Sequence, residues 1–160
     1  MTREGSRSVS TASILRDNQA GHHVMREIIP DRLWIGNSAD VSDLKGVLDA
    51  GITVLVDLTF EKPLPRLTRD IVYCRFPIVD GAGNSPELLS LAVDTIVSLQ
   101  IQRIPTLVFC GAGMSRSPAL VAAAMAIVRG QSPEASLKAV TAGGSHDVSA
   151  SLWRELSRRA

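Results

Sequence analysis

One short segment of this chain combines residue types that can carry out nucleophilic chemistry. Thr106-Leu107-Val108-Phe109-Cys110-Gly111-Ala112-Gly113-Met114-Ser115-Arg116-Ser117-Pro118 reads as a buried strand, a tight glycine-rich loop and a buried helix. The small residues let the loop amides of Gly111, Ala112, Gly113, Met114, Ser115 and Arg116 converge on one point. The helix N-terminus adds partial positive charge there, so the loop forms a cup for a dianion. Arg116 is expected at the rim, where its planar fork can grip two phosphate oxygens. Cys110 ends the strand at the bottom of the cup, where positive surroundings favour the thiolate, the nucleophilic form. A Cys and an Arg with five residues between them mean little alone. Gly113 at the third position after the Cys, the strand before it and the Ser-Pro helix start after it add the information. The bland alternative is a buried cysteine followed by a glycine turn, which would not need Arg116 to face the cavity.

Elements on either side must hold that loop in place. Leu33-Trp34-Ile35 reads as a first strand closed by Gly36-Asn37, and Ile52 to Leu58 as a strand covered on both faces. Ile71 to Phe76 and Thr106 to Cys110 supply two more. Val41 to Ala50 carries apolar residues at helical spacing and stops at Gly51; Pro86 to about Gln102 is amphipathic. Ser85-Pro86, Ser117-Pro118 and Ser132-Pro133 look like three helix starts of one kind, each with Ser as cap and Pro in the first turn. Pro118 to Val128 is apolar nearly all round and belongs at the centre of the fold, while a last helix spans Ser151 to Arg158. The class is α/β: a central, mostly parallel sheet of four or five strands flanked by helices. Residues 1–25 are expected to be a mobile tail, and 26–160 one catalytic domain.

Composition narrows the partners. Lys plus Arg is 17 and Asp plus Glu is 16, a net +1 that argues against binding nucleic acid by bulk charge. Aromatic residues at 4% offer little for base stacking. Two cysteines, Cys74 and Cys110, exclude a disulfide scaffold and a four-cysteine zinc site, and suggest a reducing, cytoplasmic setting. The longest apolar run, Ala119 to Val128, is too short to span a bilayer, and no secretory leader is expected. The expectation is a monomer needing no metal or cofactor, with neither nucleic acid nor membrane as partner.

The Cys110–Ser117 loop, CGAGMSRS, resembles the signature loop of the cysteine-dependent protein phosphatases, specifically their compact dual-specificity branch. The resemblance runs from about Arg32 to Leu156; Leu33-Trp34-Ile35-Gly36-Asn37 resembles the family's opening strand, and the final helical region matches in length and order. It implies that Cys110 attacks phosphorus, that the loop amides and Arg116 hold the phosphoryl oxygens, and that Ser117 stabilises the departing thiolate. It also implies a general acid on a loop about thirty residues before the cysteine, because an alkoxide leaves poorly. Asp80, in Phe76-Pro77-Ile78-Val79-Asp80-Gly81, fits that place and enters a mobile loop able to close over substrate. By itself Asp80 would read as a turn residue before Ser85. The implied function is hydrolysis of phosphotyrosine and phosphoserine/threonine in proteins through a phosphocysteine.

One departure stands out: Phe109 occupies the position where the family usually has His, which implies weaker activation and reduced, not abolished, turnover. That keeps a second class open, a phospho-binding module with little catalysis. A rhodanese-like sulfurtransferase is a third, disfavoured by Ser117, the Gly113 spacing and Asp80. No Lys lies inside the loop, which counts against polyphosphoinositides, although Arg66, Arg69 and Arg75 can supply charge from outside. The other candidates have ordinary readings. His22 and His23 lie in the tail without further ligands, and His146-Asp147 reads as a loop or cap with a helper role as the alternative. Cys74 reads as a core residue that could instead resolve an oxidised Cys110, and Asp57 as a strand-end turn former.

Overall fold

Period-two burial along three neighbouring strands decides which side chains reach which layer. A computed structural model describes residues 25–158. Its strands are β1 (Arg26–Ile29), β2 (Leu33–Asn37), β3 (Val54–Asp57), β4 (Val72–Arg75) and β5 (Thr106–Cys110). They form one sheet in the order β1-β2-β5-β3-β4, parallel except for the antiparallel β1–β2 pair. The helices are α1 (Ser38–Ser42), α2 (Leu44–Asp49), α3 (Pro86–Ile101), α4 (Arg116–Arg129), α5 (Pro133–Thr141) and α6 (Ala150–Ser157). This is the expected α/β architecture, with five strands.

Alternation splits the sheet into two faces. Val54, Val56, Val108 and Cys110 join a core with Leu89, Val93, Ile96, Leu120, Leu152 and Leu156 from the helices. Leu55, Leu107 and Phe109 turn the other way, onto Trp34, Val41, Val47 and Ile52. Phe109 therefore packs beneath α1 and α2, on the face opposite Cys110. The nearly continuous apolar character of α4 also follows from its position: residues 116 to 126 are all buried, and five alanines keep its surface close to its neighbours. Gly130, at φ 62°, ends that helix in the left-handed conformation.

Several local expectations change. β1 was not foreseen, because Arg-Glu-Ile-Ile is too short and irregular to show a period. The single helix expected over 41–50 is two. Asn37 caps α1 through Ala39 and Asp40 in a capping box, and Asp43 breaks the run by capping α2 at Gly46. Ser85 and Ser132 do cap their helices, at the N–H of Leu88 and Ala135. Ser117 does not: α4 already begins at Arg116, one residue after Ser115. The last helix starts at Ala150, capped by Ser149. The expected tail, with His22 and His23, lies outside the described residues apart from Met25. Among those residues no helix is long and apolar enough to cross a membrane.

The packing around α4 gives a first prediction. Ala122 is completely buried, and its carbonyl accepts the Ser136 hydroxyl from α5 at 2.6 Å. Ala122→Leu is expected to lower unfolding free energy by about 1–3 kcal/mol. The same change at exposed Ala39 should stay within about 0.5 kcal/mol. Urea titration of the two variants measures both, and equal effects would contradict the packing assignment.

Candidate active site

The parallel strands deliver their carboxyl ends to one edge, the place where α/β sheets gather ligand-binding groups. Register sets Asn37 beside Cys110 and Asp57 beside Phe109. Beyond Cys110 the chain turns through 111–115 and enters α4. The loop carbonyls are bonded outward: Ser38 N–H donates to Gly111 O at 3.4 Å, Ser38 Oγ to Cys110 O at 3.5 Å, and Asp147 N–H to Met114 O at 2.8 Å. On the inner side, Gly113 N–H donates to Cys110 Sγ at 3.2 Å. Gly113 is required twice over. Its φ is 72°, and a Cβ there would lie 2.9 Å from the Gly36 carbonyl oxygen.

Cys110 is 2% exposed at the floor of this loop. Ser117 Oγ lies 3.2 Å from its Sγ. The residue expected to start a helix thus faces the sulfur instead. Ser115 takes the N-cap position but makes no cap bond; its hydroxyl donates to Asp80 Oδ1 at 2.5 Å and accepts Ser149 N–H at 2.9 Å. Asp80 is thereby joined to the loop from thirty-five residues upstream.

Arg116 is not at the rim. It is 6% exposed, and Glu61 holds both ends of its fork: Nη1 to Oε2 and Nη2 to Oε1, each at 2.8 Å. Nη1 also donates to the carbonyls of Ile78 at 3.1 Å and Leu58 at 3.4 Å, while Nε is buried without a partner. The pair perturbs both groups. Hydrogen bonding to Arg116 pulls the Glu61 carboxyl down to about 2, and hydrogen bonding to Glu61 raises the already high value of Arg116. A Cβ on Gly111 would meet Glu61 Oε1 at 2.7 Å, so a larger residue there would make the Glu61 carboxylate shift. Sequence reasoning missed Glu61. The only available signal was an acidic residue soon after β3, on an edge that parallel strands share.

The other candidates separate from the site. Asp57 is buried and structural: it accepts Thr59 N–H at 2.7 Å and the Tyr73 hydroxyl at 2.5 Å, and burial together with that bond raises the phenol's pKa. Arg75 donates to the carbonyls of Thr59 and Lys62, so it is not free to supply charge to the cup. Arg66 and Arg69 are exposed on the segment after β3. Cys74 is half-buried on β4. Strand β3 separates it from β5, about 10 Å at ordinary strand spacing, whereas a disulfide needs Cα atoms within about 7 Å. His146 is exposed, its Nδ1 3.4 Å from Gly144 O, and only the neighbouring Asp147 amide touches the loop. The segment around Asp80 carries hydrogen bonds of its own and one to α6. Asn84 accepts Val79 N–H at 2.8 Å and donates to the carbonyls of Val79 and Gly81 at 3.0 Å, and Gly83 N–H donates to Glu155 on α6 at 3.3 Å.

Residues 22–160 match a family model described as "Swiss Army Knife protein, DSP-PTPase phosphatase domain". Solved structures show the same fold. A mouse putative dual specificity phosphatase complexed with zinc tungstate aligns with TM-score 0.76 and 24% identity, covering 90% of this chain and 91% of that one. DUSP15 aligns at 0.69 and 26%, covering 86% and 87%. Human tyrosine phosphatase-like serine/threonine/tyrosine-interacting protein aligns at 0.74 and 22%, covering 86% and 95%. No curated protein matches the sequence.

The Glu61–Arg116 pair predicts a pH dependence. The carboxyl's folded value, about 2, lies below its ordinary 4.5, so its contribution is present above about pH 4.5 and is lost as pH falls towards 2. Glu61→Gln should lower the urea midpoint at pH 6, and the gap from the parent should close progressively towards pH 3. A gap independent of pH would contradict this.

Proposed function

The chain belongs to the DSP-PTPase phosphatase-domain family, and on that premise we propose that it hydrolyses phosphate monoesters of proteins and peptides through a phosphocysteine on Cys110. The observation that carries the reading is the sulfur's setting. Cys110 Sγ lies 3.2 Å from both Gly113 N–H and Ser117 Oγ, on the floor of a loop whose carbonyls bond outward and whose arginine is buried beside it.

In the first step the Cys110 thiolate attacks phosphorus: an S–P bond forms, the ester P–O bond breaks, and Asp80 gives a proton to the departing oxygen. In the second, water attacks phosphorus, Asp80 accepts its proton, and the S–P bond breaks while Ser117 donates a hydrogen bond to the departing sulfur. Inward amides and Arg116 hold the oxygens on which charge collects. With Glu61 on the outer ends of the fork, the unpartnered Nε and the second N–H of Nη2 are the guanidinium donors left for the ligand. No metal or cofactor enters either step. Phosphotyrosine and phosphoserine/threonine are the proposed substrates. The loop contains no lysine and Arg75 is engaged elsewhere, which counts against a lipid polyphosphate even though Arg66 and Arg69 remain exposed.

One observation favours a second reading, a phosphate-binding module with little turnover. Phe109 packs on the far face of β5, so no side chain from that position hydrogen-bonds to the loop. Turnover decides. The enzyme reading expects p-nitrophenyl phosphate hydrolysis, insensitive to EDTA and abolished in Cys110→Ser. It expects Asp80→Asn to lose about 10²–10⁴-fold on phenyl phosphate. Binding of a phosphotyrosine peptide without hydrolysis would select the second reading.

A further inference from the structure

Ser115 differs from the other serines that precede a helix among the described residues. Ser85, Ser132 and Ser149 each cap their helix by accepting an N–H from the residue three positions on. Ser115 occupies the same position before α4, yet its φ of −127° and ψ of −72° lie outside the extended region, and its side chain leaves the helix uncapped. Forgoing a cap leaves the first-turn amides of α4 without the side-chain partner that the other helices receive. The hydroxyl is used instead as a junction. It is 6% exposed and bonded on both sides, to Asp80 Oδ1 at 2.5 Å and to the backbone N–H of Ser149 at 2.9 Å.

The chemistry of a hydroxyl makes this junction directional. Ser115 has one proton to give. The Ser149 N–H can only donate, so it takes a lone pair of Oγ, and the Ser115 proton is directed at Asp80. Oδ1 can accept that proton whether or not Oδ2 is protonated, so the contact is compatible with both the acid and the base form of the carboxyl. Oδ2 has no partner among the described residues. One carboxyl oxygen is held by the phosphate loop and the other is left for substrate. Asp80 is exposed, and without the Ser115 bond it would keep only the attraction of the Arg116 charge and sample several rotamers.

We infer that Ser115 is a positioning residue for Asp80, with the Ser149 amide fixing the direction of its hydroxyl. The inference rests on the proposed role of Asp80 as proton donor and extends it to the group that aims the donor. It has a consequence that a purely structural serine would lack. Proton donation matters most when the leaving oxygen is a poor leaving group, so loss of aim should be felt on phenyl phosphate and much less on p-nitrophenyl phosphate.

The test measures kcat on both esters for the parent chain, Ser115→Ala, Asp80→Asn and the double variant. Ser115→Ala is expected to lose about tenfold more on phenyl phosphate than on p-nitrophenyl phosphate. In the Asp80→Asn background the same change should lower the phenyl phosphate rate by no more than about twofold, because the group it acts through is gone. Ser115→Cys, assayed under reductant, fills nearly the same space with a weak donor and carries the same comparison should the alanine variant unfold. Equal losses on the two esters, or additive losses in the double variant, would overturn the inference while leaving Asp80 as the acid. A parent chain whose phenyl phosphate hydrolysis is indifferent to Asp80→Asn would overturn the acid assignment and this inference with it.

Discussion

The site depends on one backbone constraint: the turn after β5 bonds the Cys110, Gly111 and Met114 carbonyls to outside partners while the Gly113 N–H faces the sulfur. Ser38 and Asp147 take those carbonyls from behind. Gly113 makes the turn possible, because its left-handed backbone sits where a side chain would strike Gly36. Asn37, whose capping box starts α1, holds the neighbouring strand end in register with Cys110. Loss of any of these contacts would turn peptide dipoles away from the cup, and the remaining groups would face a site with little affinity for an anion.

The second constraint is charge. A guanidinium as buried as that of Arg116 needs compensation, because removing an ion from water is costly. Glu61 supplies it with a two-point bond, and the carbonyls of Ile78 and Leu58 take what remains of one nitrogen. Glu61 itself stays 46% exposed on its side chain, so part of the pair is solvated and the net gain in stability is modest. The arrangement holds the fork in one orientation, with Nε unsatisfied in a protein where most buried polar atoms are paired.

The third feature is convergence. The Asp80 segment, the phosphate loop and the start of α6 meet at the Ser115 hydroxyl, and Gly83–Glu155 ties the first to the last a second time. Three segments distant in sequence are thereby held in a single arrangement. These bonds fix where Asp80 stands relative to the loop after β5.

The sequence by itself determined the α/β class, the strand–loop–helix around Cys110, the buried α4 and the Ser85 and Ser132 caps. All of these depend on contiguous residues whose spacing imposes a backbone conformation. Asp80 was legible only because a resemblance supplied its distance from the cysteine. Tertiary structure decided the rest. Glu61 meets Arg116 across fifty-five residues because β3 lies beside β5, and no local pattern records strand order. Ser117 leaves its expected cap to face the sulfur, and Ser115 leaves its cap to hold Asp80, because partners supplied by the fold outcompete a local N–H. Phe109 and Cys110 are neighbours in the chain, yet the pleat sends one into a hydrophobic layer and the other into the cup.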